Sequence, residues 1–252
     1  MTNKPQLAAI AALAALGHAA ASADEGGPNN GTDPTKLATT AFVQYKHTDL
    51  RIDRSTGLFE ANYAFPIGAA KNMSLAINLP YASGVADSSF GMGDASLKFT
   101  HVADLNKERG LAYTAEVIFD TASRDELGSG QTVLKASGFY AKFLEGGAIF
   151  VPAVVQQVNL SNNRNRAKVN NTTLDFYYVP KASPKLFMTY DPAVIFDWEN
   201  HKKYVSLTVT FGTPLGKAFG GDSQIYIKPQ VLGGGERPAN WSVQFGYKVI
   251  GF

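Results

Sequence analysis

Apolar and polar positions alternate with a period of two along most of this chain. The alternation is most regular at its end, where Trp241, Val243, Phe245, Tyr247 and Val249 interleave with Ser242, Gln244, Gly246 and Lys248. Side chains leave a strand on opposite faces in turn, so such a segment carries one large apolar face and one small or polar face. The pattern recurs in about twelve segments, each near the length of ~10 residues that a tilted strand needs to cross a membrane. In order they are Leu37 to His47, Leu58 to Pro66, Met73 to Tyr81, Gly93 to Val102, Leu111 to Asp120, Gln131 to Phe143, Ala148 to Leu160, Asn171 to Pro180, Lys185 to Trp198, Tyr204 to Gly212, Ser223 to Leu232 and Asn240 to Phe252. The facing of the sixth and seventh is ambiguous. Lys135 and Lys142 fall on opposite faces of the sixth, and the seventh ends in a cluster of Gln156, Gln157 and Asn159.

In a soluble sandwich the apolar face points into a core. In an outer-membrane barrel it meets lipid, and the polar face lines a lumen. Two features favour the barrel. Connections alternate in length: Ser83 to Met92, Thr121 to Gly130 and Ser161 to Asn170 are long and polar, whereas Gly68 to Asn72, Glu145 to Gly147 and Ala182 to Pro184 are short. Pro214 to Gly221 breaks that rule. Aromatic residues also gather near segment ends (Tyr45, Phe65, Tyr81, Phe143, Trp198, Tyr204, Trp241), as interfacial girdles require. The expected fold is all-β, an antiparallel up-and-down transmembrane β-barrel of about 12 strands. A soluble exported sandwich is the rival. Pro152, Pro192 and Pro229 inside segments are expected at bulges or strand ends.

The first 23 residues read as a secretory signal, with Lys4, an apolar run from Leu7 to Leu16 and the small-x-small site Ala21-Ser22-Ala23 ahead of Asp24. Residues 24–35 form a loose periplasmic leader and 36–252 the barrel. Export to a bacterial outer membrane follows, with membrane lipid and lipopolysaccharide as surroundings. The absence of cysteine excludes disulfides, thiolate metal sites and cysteine nucleophiles, and a net charge of only +2 leaves no nucleic-acid footprint.

Candidate chemistry concentrates on the polar phase. Lys46, Glu60, Asp94, Lys98, Glu116, Asp120, Asp175, Asp191, Asp197, Lys228 and Lys248 all fall there, as candidates for lining a lumen. A lysine facing lipid at the midplane would cost about 2–4 kcal/mol, whereas one in a hydrated or paired interior is tolerated. Two readings stay open: an ion-pair network that rigidifies the interior, or a conductive path for a small-molecule solute. Arg164, Arg166 and Lys168 sit in a long loop and are candidates for anion or lipopolysaccharide-phosphate contact, against an ordinary solvated loop. Outside the signal, His47, His101 and His201 have no ligand spacing for a metal. His101 lies on an apolar face without a serine motif, which leaves lipid hydrolysis as a minor alternative. No cofactor is expected. Gly91-Met92-Gly93-Asp94 lacks the lysine and helix of a phosphate-cradling loop and reads as a flexible strand entry.

The stretch Phe90-Gly91-Met92-Gly93-Asp94-Ala95-Ser96-Leu97-Lys98-Phe99 resembles the outer-membrane transporters grouped as the MetA-pathway of phenol degradation family, whose members have a Gly-x-Gly-Asp entry into an alternating strand. The resemblance implies a barrel that passes small, often hydrophobic or aromatic compounds across the outer membrane, and it carries over no solute-contact residues. The rivals are the lipid-modifying enzyme and a structural or adhesive barrel with a closed lumen. One conflict remains in the pattern: Phe252, expected to face lipid in such a barrel, is out of phase with Trp241 to Val249 unless a bulge near Gly246 or Gly251 shifts the register.

Overall fold

The computed structural model describes residues 33, 35–86, 88–181, 183 and 185–252. The signal and nearly all of the leader therefore lie outside the described residues. Thirteen strands run in chain order: β1 Thr40–Leu50, β2 Ser55–Ile67, β3 Met73–Ser83, β4 Phe90–Met92, β5 Ser96–Leu105, β6 Arg109–Ile118, β7 Val133–Phe143, β8 Ile149–Asn159, β9 Asn170–Val179, β10 Phe187–Asp197, β11 Lys202–Ala218, β12 Gly221–Gly233 and β13 Ala239–Ile250. Each wall strand pairs antiparallel with its sequence neighbours. β1 pairs with β13 and β2 with β3, so the sheet closes on itself. The three-residue β4 pairs only with the end of β3, which leaves twelve strands in the wall. The fold is a closed antiparallel twelve-stranded barrel, and closure leaves no unpaired edge for hydrocarbon to meet.

Register assigns the faces, because residues directly opposite each other share one. Val43 stands opposite Tyr247 and Ala61, and Tyr45 opposite Phe245 and Phe59. This row is the outer wall. Gln44, one residue along, stands between Gly246 and Glu60 on the inner wall. The two ambiguous strands resolve by the same rule. Lys135 faces inward between Glu116 and Gln157, while Lys142 faces outward beside Arg109 at the barrel's end. Gln157 is inward and Gln156 outward.

Long connections leave one end of the barrel and tight ones the other. The apparent exception at Pro214 to Gly221 disappears, since β11 continues to Ala218 and only Phe219 and Gly220 turn the chain. Both have positive φ, 51° and 86°, the hairpin geometry that continues the twist of the flanking strands. Pro152, Pro192 and Pro229 do not end their strands. Each faces outward, and beside each the ladder to one neighbour skips: β8 to β7, β10 to β9 and β12 to β11. A residue without an N–H removes one rung while the opposite neighbour keeps the strand in place.

Outer-wall rings gather toward the two ends. Near the long loops Phe59 packs on Tyr45 at 4.6 Å and on Phe90 at 5.5 Å, and Phe196 stacks on Trp198. At the other end Tyr63 meets Phe65 and Phe252. Phe143 and Tyr204 depart from the expected girdle, because their partners Ile149 and Ile195 place them inward. Phe252 lies beside the outward Tyr63 because Gly251 adopts φ 75° and donates its N–H to the Thr39 carbonyl. A left-handed residue after the last ladder pair turns the chain and returns Phe252 to the outer face.

Candidate functional site: the inner wall and its mouth

The inner wall is a belt of charge assembled one strand at a time. β1 contributes Lys46, β2 Glu60, β5 Lys98, β6 Glu116, β7 Lys135, β9 Asp175, β10 Asp191, β12 Lys228 and β13 Lys248, all on the inner face by register. Lys135 is the member that the sequence pattern left undecided. Within this belt the salt bridge among the described residues is Lys135 to Glu116 at 3.7 Å. Glu116 also accepts the Ser96 hydroxyl at 2.6 Å. Glu60 is held by amides instead, accepting from Gln44 at 2.5 Å and Asn78 at 3.3 Å. Lys46, Lys98, Asp175, Asp191 and Lys228 form no contact ion pair among the described residues, although Lys228 is within electrostatic reach of Glu60, Asp191 and Lys46. These five groups are therefore not knitted into the ion-pair network that sequence alone allowed.

Along one row of the inner wall, aromatic rings and glycines alternate. Phe187 stands opposite Gly212, Gly212 opposite Tyr226, and Tyr226 opposite Gly246. The Phe187 ring covers Gly212 and the Tyr226 ring covers Gly246 where a Cβ would sit. Tyr226 then reaches past Gly246 to donate its hydroxyl to Gln44 at 2.7 Å, and Gln44 also accepts from Gln244. Rings thus lie along the wall. The ammonium groups of Lys228 and Lys248 stand 5.0 and 5.7 Å from the Tyr226 ring centre, in cation–π geometry. Toward the tight-turn end the inner wall becomes apolar and buried, with Val102, Ala112, Ala141 and Val151. There Thr35, at the end of the leader, is buried against the inward-facing Gly110.

At the opposite mouth the long β6–β7 connection folds inward. Its short 3₁₀ turn, Asp125–Leu127, places the buried Leu127 over the position where Gly91 would carry a Cβ. Gly91 pairs with Ala82 and so faces the lumen, and Gly93 has the Leu127 carbonyl on the same side. A side chain at either glycine would collide with the loop. Asp94 then latches the loop: Oδ1 accepts the N–H of Thr121 and of Ala122 at 3.2 and 3.1 Å, and Oδ2 accepts the N–H and hydroxyl of Ser129 at 2.7 and 3.2 Å. From the other side the Arg166 guanidinium donates to the carbonyls of Gly128 at 2.6 Å, of Ser129 at 3.2 Å and of Asp125. Buried Gln131 binds Asn163 and Ser161, fastening the β8–β9 loop to the same unit.

Several sequence-derived candidates therefore change place. Asp94 precedes β5 and holds the loop, so it is not a member of the belt. Asp120 lies beyond the end of β6 and is exposed. Asp197 keeps the inner phase but stands at the very end of β10, where it closes the β10–β11 turn by accepting the N–H and side-chain amide of Asn200 at 3.0 and 2.8 Å. Arg166 is occupied by loop carbonyls and is not presented to lipopolysaccharide, whereas Arg164 and Lys168 remain exposed. His101 is outward near the tight-turn end, with Asn72 at 3.3 Å as its side-chain partner. Among the described residues no cluster of histidines and carboxylates could hold a metal. The Gly-x-Gly-Asp stretch was visible in sequence as a flexible entry, but its contact with residues 121–129 has no local signal.

Two solved structures share this architecture. The COG4313 outer membrane channel from Pseudomonas putida F1 superposes with a TM-score of 0.72 at 14% identity, covering 90% of this chain and 100% of its own. The NanC porin gives 0.58 at 10% identity, covering 84% of this chain and 99% of its own. At such identity the likeness is one of fold. No family model matches the chain. No curated protein matches it either.

Proposed function

We propose that the protein is an outer-membrane channel that passes small molecules, hydrophobic or aromatic ones among them, by passive diffusion. The observation that carries this reading is the inner wall: a belt of charge around a closed barrel in which Lys46, Lys98, Asp175, Asp191 and Lys228 make no contact ion pair among the described residues. Charges neutralised by one another would serve rigidity. Charges left apart on a wall serve solutes and ions that pass it. The resemblance at Phe90 to Phe99 and the likeness to an outer membrane channel support the same reading.

Solute would enter beneath the long loops, pass the charged belt and leave past Thr35 at the tight-turn end, with no coupled energy. Conductance of the purified protein in planar bilayers tests this. We expect discrete channel events whose cation-to-anion selectivity shifts toward cations in Lys98→Glu and toward anions in Asp191→Lys. Absence of events, or selectivity unmoved by both reversals, would overturn the assignment of the lumen as the path.

A further inference from the structure

Two like-charged groups stand out in the belt, although Glu60 flanks the lysines from β2 and Lys135 senses Asp175 from β7. Asp175 and Asp191 come from the adjacent strands β9 and β10, where Ala193 pairs with Asp175 and Asp191 lies one inward position away. Lys46, Lys228 and Lys248 come from β1, β12 and β13, which are consecutive around the barrel. Tyr177 and Thr189 are inward neighbours of the acidic pair, by alternation along the same strands. Asp175 is only 7% exposed; Lys135 is within its electrostatic reach, but among the described residues neither a hydrogen bond nor a contact ion pair reaches its carboxylate. The buried Oδ1 of Asp191 and Oγ1 of Thr189 are also without hydrogen-bond partners. A lumen-facing carboxylate oxygen that is buried and lacks a donor, as Asp191 Oδ1 is, is costly unless something supplies one.

The donor best matched to two carboxylates and a hydroxyl is a protonated amine, with up to three N–H groups to share. A plain cation is poorly suited, because Lys228 is within electrostatic reach of Asp191 and Lys46 stands beyond it. Lys228, beside the Tyr226 ring, and Lys46 on β1 would attract an anionic group at the other end of the solute. A dipolar solute can lie across the lumen and satisfy both walls, whereas an ion of either sign satisfies one and meets the other as a barrier. We propose that the lumen contains a binding subsite for small zwitterions, with the ammonium held by Asp175, Asp191 and Thr189 and the carboxylate by the lysines of β1, β12 and β13. The proposal rests on the lumen being the solute path and names a class of solute for it.

Swelling of liposomes containing the full-length protein, with γ-aminobutyrate as zwitterion and erythritol as an uncharged solute of similar size, tests it. Wild-type protein is expected to admit γ-aminobutyrate about fivefold faster, one well-placed charge contact being enough for that ratio. In the Asp175→Asn, Asp191→Asn double variant the preference falls toward unity. Because the variant can fail to assemble, saturable block of wild-type ion current by γ-aminobutyrate, absent with erythritol, is the second readout. Erythritol flux with equal γ-aminobutyrate flux and no block would overturn the subsite and leave the channel intact. Absence of both fluxes and of conductance would overturn the channel, and the subsite with it.

Discussion

The latch at the mouth can be opened by one substitution. Asp94→Ala removes the acceptor for three backbone N–H groups and the Ser129 hydroxyl, while Arg166 and Gln131 remain. A hydrogen bond to a charged group contributes about 1.5–3 kcal/mol. The site borders solvent, and the freed amides can hydrate, so the loss for the set is at the low end, about 2–3 kcal/mol. By RT ln K, that raises the fraction of molecules with the loop released by about 30- to 150-fold. The chain has no cysteine, so Leu127→Cys introduces a single thiol on the buried inner side of the loop. Its rate of reaction with a membrane-impermeant maleimide reports the released fraction when closing is fast relative to labelling. Labelling of Leu127→Cys is expected to accelerate at least tenfold when Asp94→Ala is added. Addition of Asp120→Ala, on the exposed connection before the loop, should leave it within twofold. Equal rates with and without Asp94 would refute the account of the loop as held by this carboxylate.

Two further substitutions test the wall. Gly246→Ala puts a methyl where the Tyr226 ring lies, so the ring must swing into the lumen. We expect lower single-channel conductance and a stability loss of about 1–3 kcal/mol, with Gly235→Ala, which meets nothing, as the silent comparison. Equal conductance in both variants would mean that the ring does not bound the bore. At Gly251, Gly251→Val forces a branched side chain into φ 75° and displaces Phe252 from Tyr63. Folding into detergent micelles, followed by heat-modifiable gel migration, should slow, and an unchanged time course would separate Phe252 packing from assembly.

Alternation made the barrel legible because a period of two survives even where strand ends do not. Lys46, Glu60, Lys98, Glu116, Asp175, Asp191, Lys228 and Lys248 could be placed on one face from their own segments. Lys135 could not, because Lys142 on the same segment points the other way at the barrel's end and only cross-strand pairing decides between them. Asp94 misled for the opposite reason. It shares the phase of Ser96 and Lys98, yet the strand begins two residues later and the carboxylate serves a loop about thirty residues away. Prolines misled by convention: an outward proline in a wall costs one rung, and the strand continues. The grouping of Asp175 with Asp191, and of Lys46 with Lys228 and Lys248, has no signature in a single strand, since it depends on which strands become neighbours.

The seam between β1 and β13 joins residues about two hundred positions apart, Thr40 with Ile250 at one end and Asp49 with Trp241 near the other. Closing so long a span costs about 5 kcal/mol of chain entropy before any rung forms. That cost is recovered only when the last strand arrives, and until then β1 and β12 both present open edges that hydrocarbon does not tolerate. Insertion is therefore expected to be a single committed event late in the life of the chain. A chain truncated before Asn240 would lack β13 and could not close this barrel.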